Sequence, residues 1–147
     1  MRVLLDTNII FDILCKRPYD EKGLMQLKIM QAFSDVELWA SAKSYTDLFY
    51  LMRRELGTED AQVLLEDTLS WMHACSIDEE DIKAALQARW TDFEDCLVNV
   101  CADKIKADFL ITRDKKGFRN AKVPCGTASE FMDFVFEQTN TRYALAE

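Results

Sequence analysis

The sequence predicts an α/β domain of three layers, in which helices cover both faces of a mainly parallel sheet of four to five strands. Val3, Leu4 and Leu5 form an apolar run without polar alternation, which is typical of a strand buried on both faces of a parallel sheet. Strand-like and helical segments alternate along the chain, as in βαβ units. Only 4 Gly and 2 Pro occur in 147 residues, which favours long elements joined by short loops. A chain of this length is most simply one domain, spanning residues 1–147.

Capping residues and helical spacing of apolar side chains define the elements that follow the first strand. Asp20 is suited to cap a helix, and Gly57 is suited to end a later one. The predicted elements of this half are a helix at 9–15, a helix from 20 to 33, a strand at 36–40 and a helix at 41–55.

The same alternation continues in the second half of the chain. Thr58, Asp78 and Asp92 are each suited to cap a helix. Thr127 and Glu130 have the spacing of a capping box for the final helix. The predicted elements are helices at 58–73, 78–89, 92–106 and 127–138, strands at 74–77, 108–112 and 121–123, and a flexible tail at 139–147.

Composition excludes several classes of function. The net charge is −8, from 26 acidic and 18 basic residues, which disfavours non-specific nucleic-acid binding through bulk charge but permits a site where a cation acts locally. Five scattered cysteines and one histidine provide neither a disulfide framework nor a zinc spacing. The sequence has no long apolar stretch for a membrane span and no signal-peptide pattern, so we expect a cytoplasmic protein.

Carboxylates recur where the predicted strands end. Asp6 follows the first strand, Asp47 lies in the helix after the second strand, and Asp114 follows the strongest later strand. Asp92 and Asp95 lie three residues apart in the first turn of a helix, so both can point the same way. Because parallel strands place their carboxyl ends at one edge of a sheet, these side chains are candidates to converge there.

A converged set of carboxylates needs a cation, because like charges repel and burying them unpaired is costly. Oxygen ligands without His or thiolate favour Mg²⁺ or Mn²⁺, and such ions support phosphodiester hydrolysis. Residues 113–122 add five basic side chains around one of the acids, as a phosphate backbone would require. Each feature also has a purely structural explanation: the acids serve as helix caps, turn residues or solvated surface charges, and the basic run is a solvated loop.

Four segments resemble the motifs of the PIN-domain family of metal-dependent ribonucleases, which includes toxins of toxin–antitoxin pairs. The resemblance covers about residues 1–125. In the family the second acid is usually Glu, where this chain has Asp47. The matching segments are Asp6-Thr7-Asn8, Asp47 within residues 44–48, Asp95 at the start of a helix, and Thr112-Arg113-Asp114.

The resemblance implies an RNA endonuclease that uses Mg²⁺ or Mn²⁺, forms a homodimer and is inhibited by a small antitoxin protein. It also implies roles for individual residues. The metal ligands that position the attacking water would be Asp6, Asp95 and Asp114, with Asp47 completing the catalytic set. The residues that would steady ligands or bind substrate are Asn8, Thr112, Arg113, Lys115 and Lys116.

Two departures from the family pattern keep other functions open. Asp47 is one methylene shorter than Glu, and Gly117 stands where many relatives have a further acid. A PIN-like module that binds RNA or protein without cutting is therefore the main alternative. A phosphatase using Asp6 as nucleophile is a third, although position 8 is Asn rather than a second acid. Arg53 and Arg54 are further candidates for RNA contact, or else form surface salt bridges.

Overall fold

The computed structural model describes residues 1–145. Its centre is a five-stranded sheet in the order β3-β2-β1-β4-β5, in which every neighbouring pair is parallel. The strands are β1 (Arg2–Leu5), β2 (Glu37–Ser41), β3 (His73–Cys75), β4 (Phe109–Ile111) and β5 (Cys125–Gly126). The predicted mainly parallel α/β fold is confirmed.

Seven helices accompany the sheet in the described part of the chain. They are α1 (Thr7–Leu14), α2 (Glu21–Ala32), α3 (Ala42–Leu56), α4 (Thr58–Thr68), α5 (Glu79–Ala88), α6 (Phe93–Lys104) and α7 (Ala128–Thr139). No helix within residues 1–145 is both long enough and apolar enough to cross a bilayer.

The sheet separates two apolar cores, which gives the three layers. Along β1, Val3 and Leu5 belong to the larger core with α1, α2, α3, α4 and α7, whereas Leu4 belongs to the core beneath α6. All three side chains are at most 1% exposed. Alternate residues of a strand point to opposite faces, so a strand covered on both sides must be apolar throughout.

The register of β1 and β4 brings two chain segments together at the carboxyl edge of the sheet. Leu5 lies opposite Ile111, and the backbone N–H of Asp6 donates to the Ile111 carbonyl at 2.9 Å. The residues that follow the two strands, Asp6 and Thr112, are therefore neighbours. Both β1 and β4 are held by buried apolar side chains, so this edge of the sheet is rigid.

The predicted bounds of the last strand and of α4 were wrong. The last strand lies at Cys125–Gly126 rather than 121–123, because the ladder with β4 is made around Pro124 and Gly126, whose carbonyls accept hydrogen bonds from β4 and from the residue after it. Thr58 is the first residue of α4 rather than its cap; Gly57 occupies the N-cap position and supplies no side-chain bond. The helix also ends at Thr68, five residues before the predicted end, since residues 69–72 form turns.

The other predicted caps are observed. Asp20 and Asp92 cap α2 and α6, and Asp78 and Thr127 form capping boxes at α5 and α7.

The predicted flexible tail begins in the last residue of α7, and its next residues make specific contacts. The Tyr143 ring is buried, and its hydroxyl donates to Asp35 Oδ2 at 2.6 Å. Gln26 Nε2 donates to the Tyr143 carbonyl at 2.9 Å. These bonds fix residue 143 against α2 and the loop after it, which the tail prediction did not anticipate. Residues 146–147 of that predicted tail lie outside the described residues.

Candidate active site

A cleft of about 550 Å³ lies at the carboxyl edge of the sheet. The structure brings all four predicted carboxylates to its walls, namely Asp6, Asp47, Asp95 and Asp114. Asp6 comes from the end of β1, Asp47 from α3, Asp95 from the first turn of α6 and Asp114 from the loop after β4. Side chains distant in sequence thus share one cavity, as the strand-end argument predicts.

A buried threonine joins two of these acids. The hydroxyl of Thr112 donates to Asp6 Oδ2 at 2.9 Å and accepts from the backbone N–H of Asp114 at 3.0 Å. The other oxygen of Asp6 accepts from the Thr7 N–H at 2.9 Å, which also makes Asp6 the cap of α1. Asp6 is therefore both a helix cap and an acid of the cleft. Thr112 is 0% exposed, so it orients the acids rather than contacting a substrate.

Asp95 and Asp114 approach each other across Gly117. A Cβ atom at residue 117 would lie 2.5 Å from Asp95 Oδ2 and 2.7 Å from Asp114 Oδ2, so these two oxygens are no more than about 5 Å apart. The Gly117 N–H donates to the other oxygen of Asp114 at 2.9 Å. A side chain at residue 117 would push these oxygens away, so their close approach depends on Gly117, which in the sequence appeared only as a missing family acid.

Two acids of the cleft, Asp95 and Asp6, have raised pKa values. Burial raises the pKa of Asp95 to about 6, with further contributions from Asp92, Asp6, Asp114 and Glu94. Burial also raises the pKa of Asp6, and the hydrogen bonds from Thr112 and Thr7 partly offset this rise. Asp95 accepts no hydrogen bond from the described residues, so its charge is not compensated within the protein.

Asp47 occupies the cleft but is already paired. Lys43 Nζ lies 2.7 Å from Asp47 Oδ2 and 3.3 Å from Glu94 Oε1, so one lysine bridges two acids at the cleft wall. Neither Lys43 nor Glu94 was predicted to belong to the site. The i, i+4 spacing of Lys43 and Asp47 is the signal that could have identified the pair from sequence.

Some of the predicted substrate-binding residues line the clefts, whereas others pair with residues elsewhere. Asn8 is exposed on the cleft wall, and Lys116 lies beside Asp95 and Asp114 in an adjoining cleft. Lys115 instead pairs with Glu130 at the start of α7.

Arg113 turns away from the cleft. Its Nε lies 3.5 Å from Asp12 Oδ2, and its guanidinium carbon lies 4.7 Å from the centre of the Tyr19 ring. Arg113 thus pairs with a buried acid, and its contact with RNA stays a prediction. Asp12 is 1% exposed and its oxygens have no hydrogen-bond partner among the described residues, so nearby cations are needed to offset its burial.

Arg53 and Arg54, near the end of α3, form no salt bridge with any described carboxylate. Arg54 lines the main cleft. The guanidinium of Arg53 lies 4.6 Å from the centre of the exposed Tyr50 ring, a cation–π arrangement. At its α3 edge the cleft therefore has Arg54, which pairs with no carboxylate in residues 1–145, and the aromatic ring of Tyr50.

The donor set fits a hard divalent cation. No three His, Cys, Asp or Glu side chains within residues 1–145 are already close enough to form a closed metal site. However, the cluster offers only carboxylate oxygens, the ligands that Mg²⁺ and Mn²⁺ prefer. The close approach of Asp95 Oδ2 and Asp114 Oδ2 and the unbalanced charge of Asp95 are what a cation would neutralise.

Comparison with solved structures shows the same fold in other proteins. A chain of VapBC2 from Rickettsia felis, solved with a DNA fragment from its promoter, has a TM-score of 0.65 and 18% identity, covering 85% of this chain and 97% of that chain. A chain of VapBC-1 from nontypeable Haemophilus influenzae has a TM-score of 0.64 and 21% identity, covering 88% and 99%. A chain of FitAcB from Neisseria gonorrhoeae has a TM-score of 0.59 and 22% identity, covering 86% and 98%.

A comparison with protein families gives a match over most of the sequence, whereas no curated protein matches. The PIN domain family matches residues 2–116, which include β1 through β4 and all four acids of the cleft. The chain belongs to the PIN domain family.

Proposed function

We propose that this protein is a divalent-metal-dependent endoribonuclease, acting as the toxin of a toxin–antitoxin pair. The observation that carries the proposal is the convergence of Asp6, Asp95 and Asp114 at one edge of the sheet, with only oxygen donors. PIN domains are generally nucleases and generally use divalent metals. The cleft acids of this chain are therefore assigned to Mg²⁺ or Mn²⁺.

Each of the three acids has a defined support in the fold. Asp6 would be held by Thr112 and Thr7, and Asp114 by Thr112 and Gly117. Among the three ligands, Asp95 would gain most from a bound cation, because it is crowded by acids and accepts no hydrogen bond from the described residues. When bound, the ion would activate the attacking water and stabilise charge at the leaving oxygen.

Asp47 would take part less directly than the other catalytic acids. Its pairing with Lys43 neutralises much of its charge, and Lys43 also neutralises Glu94. The pairing of Asp47 with Lys43 would then limit the negative charge that an incoming phosphate meets. We assign metal binding to Asp6, Asp95 and Asp114, and a supporting electrostatic role to the Lys43–Asp47 pair.

The RNA backbone would be met by cations at the rim of the cleft. Arg54 and Lys116 lie on different edges of the acid cluster, and neither forms an ion pair with a described carboxylate. Asn8 would donate or accept a hydrogen bond at the cleft wall. Lys115 and Arg113 are engaged by other residues, so we do not assign them to the RNA.

Fold similarity to VapBC2, VapBC-1 and FitAcB supports the toxin assignment and the presence of a small antitoxin partner.

We also propose that the protein forms a homodimer. Light scattering after size exclusion tests this part directly: twice the chain mass of 17.0 kDa is expected, and a monomer at all concentrations would contradict it.

The enzyme assignment is tested with a mixed single-stranded RNA pool incubated with Mn²⁺, Mg²⁺ or EDTA. We expect cleavage with either metal, none with EDTA, and none by Asp95→Asn. Asp103→Asn, on the same helix but at its opposite end, is the matched control and should cut like the wild type. Equal cutting by Asp95→Asn, or by the wild type in EDTA, would refute a metal-dependent nuclease centred on these acids.

The Lys43–Asp47–Glu94 pairing favours one second candidate, a PIN-like binding module that does not cut RNA. Such a module would hold its acids with an internal lysine instead of a metal. It predicts no cleavage together with no rise in melting temperature on adding Mn²⁺. A metal-dependent rise would exclude it.

A further inference from the structure

A second cleft of about 340 Å³ adjoins the acid cluster on the side away from α3. It shares Asp95 and Asp114 with the main cleft, so a molecule bound there would be next to the proposed reaction site. Its other walls differ in chemistry from the main cleft. They include one aromatic, one amide and two basic side chains, from Trp90, Asn120, Lys116 and Arg119.

The aromatic wall is held in place from beneath. Trp90 is partly exposed and makes an edge-to-face contact with Phe118, with ring centres 6.4 Å apart and planes at 73°. Phe118 is 1% exposed and belongs to the core under α6. The indole therefore rests on a fixed base while still lining the cleft. Rigid aromatic rings of this kind are stacking surfaces for unpaired bases.

The basic walls are free to bind anions. Lys116 and Arg119 are both exposed, and neither forms an ion pair with a carboxylate in residues 1–145. The other charged residues of this cleft are Asp92, Asp95 and Asp114, so Lys116 and Arg119 supply the positive charge that a phosphate next to the acids would need. Asn120 adds an amide, which can donate to and accept from the edge of a base.

We infer that this second cleft is a nucleotide subsite, in which a base next to the scissile phosphate stacks on Trp90 while Lys116 and Arg119 contact the adjoining phosphate. The inference rests on the proposed ribonuclease function and adds a determinant of its substrate. Asn120 would favour bases whose edge matches its amide. Unpaired RNA is the class of ligand that fits, because stacking requires a base free of its duplex.

The test uses labelled single-stranded RNA pentanucleotides, with Mg²⁺, bound to Asp6→Asn protein. Asp6 lies outside the second cleft, so this variant stops cleavage while keeping every side chain that lines the subsite. We expect an abasic residue at one position to weaken binding roughly 5- to 150-fold, the range found for loss of one stacked base. Adding Trp90→Ala should cause a similar loss and remove the effect of the abasic residue, whereas Trp90→Phe should retain most of the affinity.

Two controls keep the result interpretable. Phe33→Ala removes another exposed aromatic ring, remote from both clefts, and should leave binding unchanged. In the protein with Trp90 intact, the indole N–H signal of Trp90 should shift on adding RNA, while those of Trp39 and Trp71 should not. This readout does not depend on whether Trp90→Ala folds.

The failures of the two proposals are distinguishable. RNA binding and metal-dependent cleavage without a Trp90 signal shift, and with the same abasic effect in Trp90→Ala, would overturn the subsite and leave the nuclease intact. Absence of both RNA binding by Asp6→Asn and cleavage by the wild type would overturn both.

Discussion

Replacing Gly117 with alanine is a sharp test of the acid cluster. The added Cβ would lie 2.5 Å from Asp95 Oδ2 and 2.7 Å from Asp114 Oδ2, against ordinary contacts of at least 3.4 Å. Asp95 Oδ2 must therefore move about 0.9 Å and Asp114 Oδ2 about 0.7 Å away from the new Cβ. Both are ends of side chains that can rotate, and Gly117 has no positive φ, so the backbone accepts alanine without strain.

The expected result is a folded protein with a damaged site. A ligand shift of this size should weaken Mn²⁺ binding and slow RNA cleavage by about 10- to 100-fold, the range for misplaced catalytic groups and disturbed metal surroundings. The melting temperature without metal should stay close to that of the wild type. It should even rise slightly if separating the oxygens relieves repulsion.

Mn²⁺ calorimetry and initial cleavage rates measure the two effects on the same preparation. Lys122→Ala is the matched control, because this exposed residue lies in the same loop but lines neither cleft. Wild-type metal affinity and wild-type cleavage in Gly117→Ala would refute the argument that the space at Gly117 belongs to the site.

Three further changes test other parts of the structure. First, Asp95→Asn should raise the melting temperature in EDTA at pH 7.5 by about 2–4 °C. The folded-state pKa of Asp95 is about 6, above its unfolded value, so wild-type stability falls as pH rises from about 4 to 6 and the gain should vanish at pH 4; an equal gain at both pH values would contradict this. Second, Arg113→Ala should lower the free energy of unfolding by about 2–3 kcal/mol, because buried Asp12 loses a cation, whereas Arg113→Lys should lose less. Urea denaturation measures both, and no loss in Arg113→Ala would show that Asp12 does not depend on it. Third, Thr112→Val should weaken Mn²⁺ binding about tenfold by releasing Asp6, while Thr112→Ser should not; calorimetry with equal affinities would refute the orienting role.

The position of the acids was predictable because it follows from the strands. An apolar run followed at once by Asp6 marks a strand covered on both faces, and β4 repeats this pattern before Thr112 and Asp114. Parallel pairing then places both ends at one edge. The resemblance to the PIN family rested on the same residues, and the family match confirms it.

The partners of the charged side chains could not be predicted in the same way. Arg113 lies in a basic run that predicts a phosphate-binding surface. Its side chain nevertheless pairs with a buried acid on α1. That contact depends on how α1 packs against the loop after β4, which no local pattern encodes. The space at Gly117 is likewise a property of three-dimensional approach between α6 and that loop. Sequence alone showed Gly117 only as a missing acid.

Whether these acids form one metal site is measured by titrating Mn²⁺ into the wild type and into Asp6→Asn, Asp95→Asn and Asp114→Asn by calorimetry. We expect binding by the wild type, strong weakening in each of the three variants, and wild-type binding by Asp103→Asn. Undiminished binding in the three variants, or no binding by the folded wild type, would contradict the claim that these acids form one metal site.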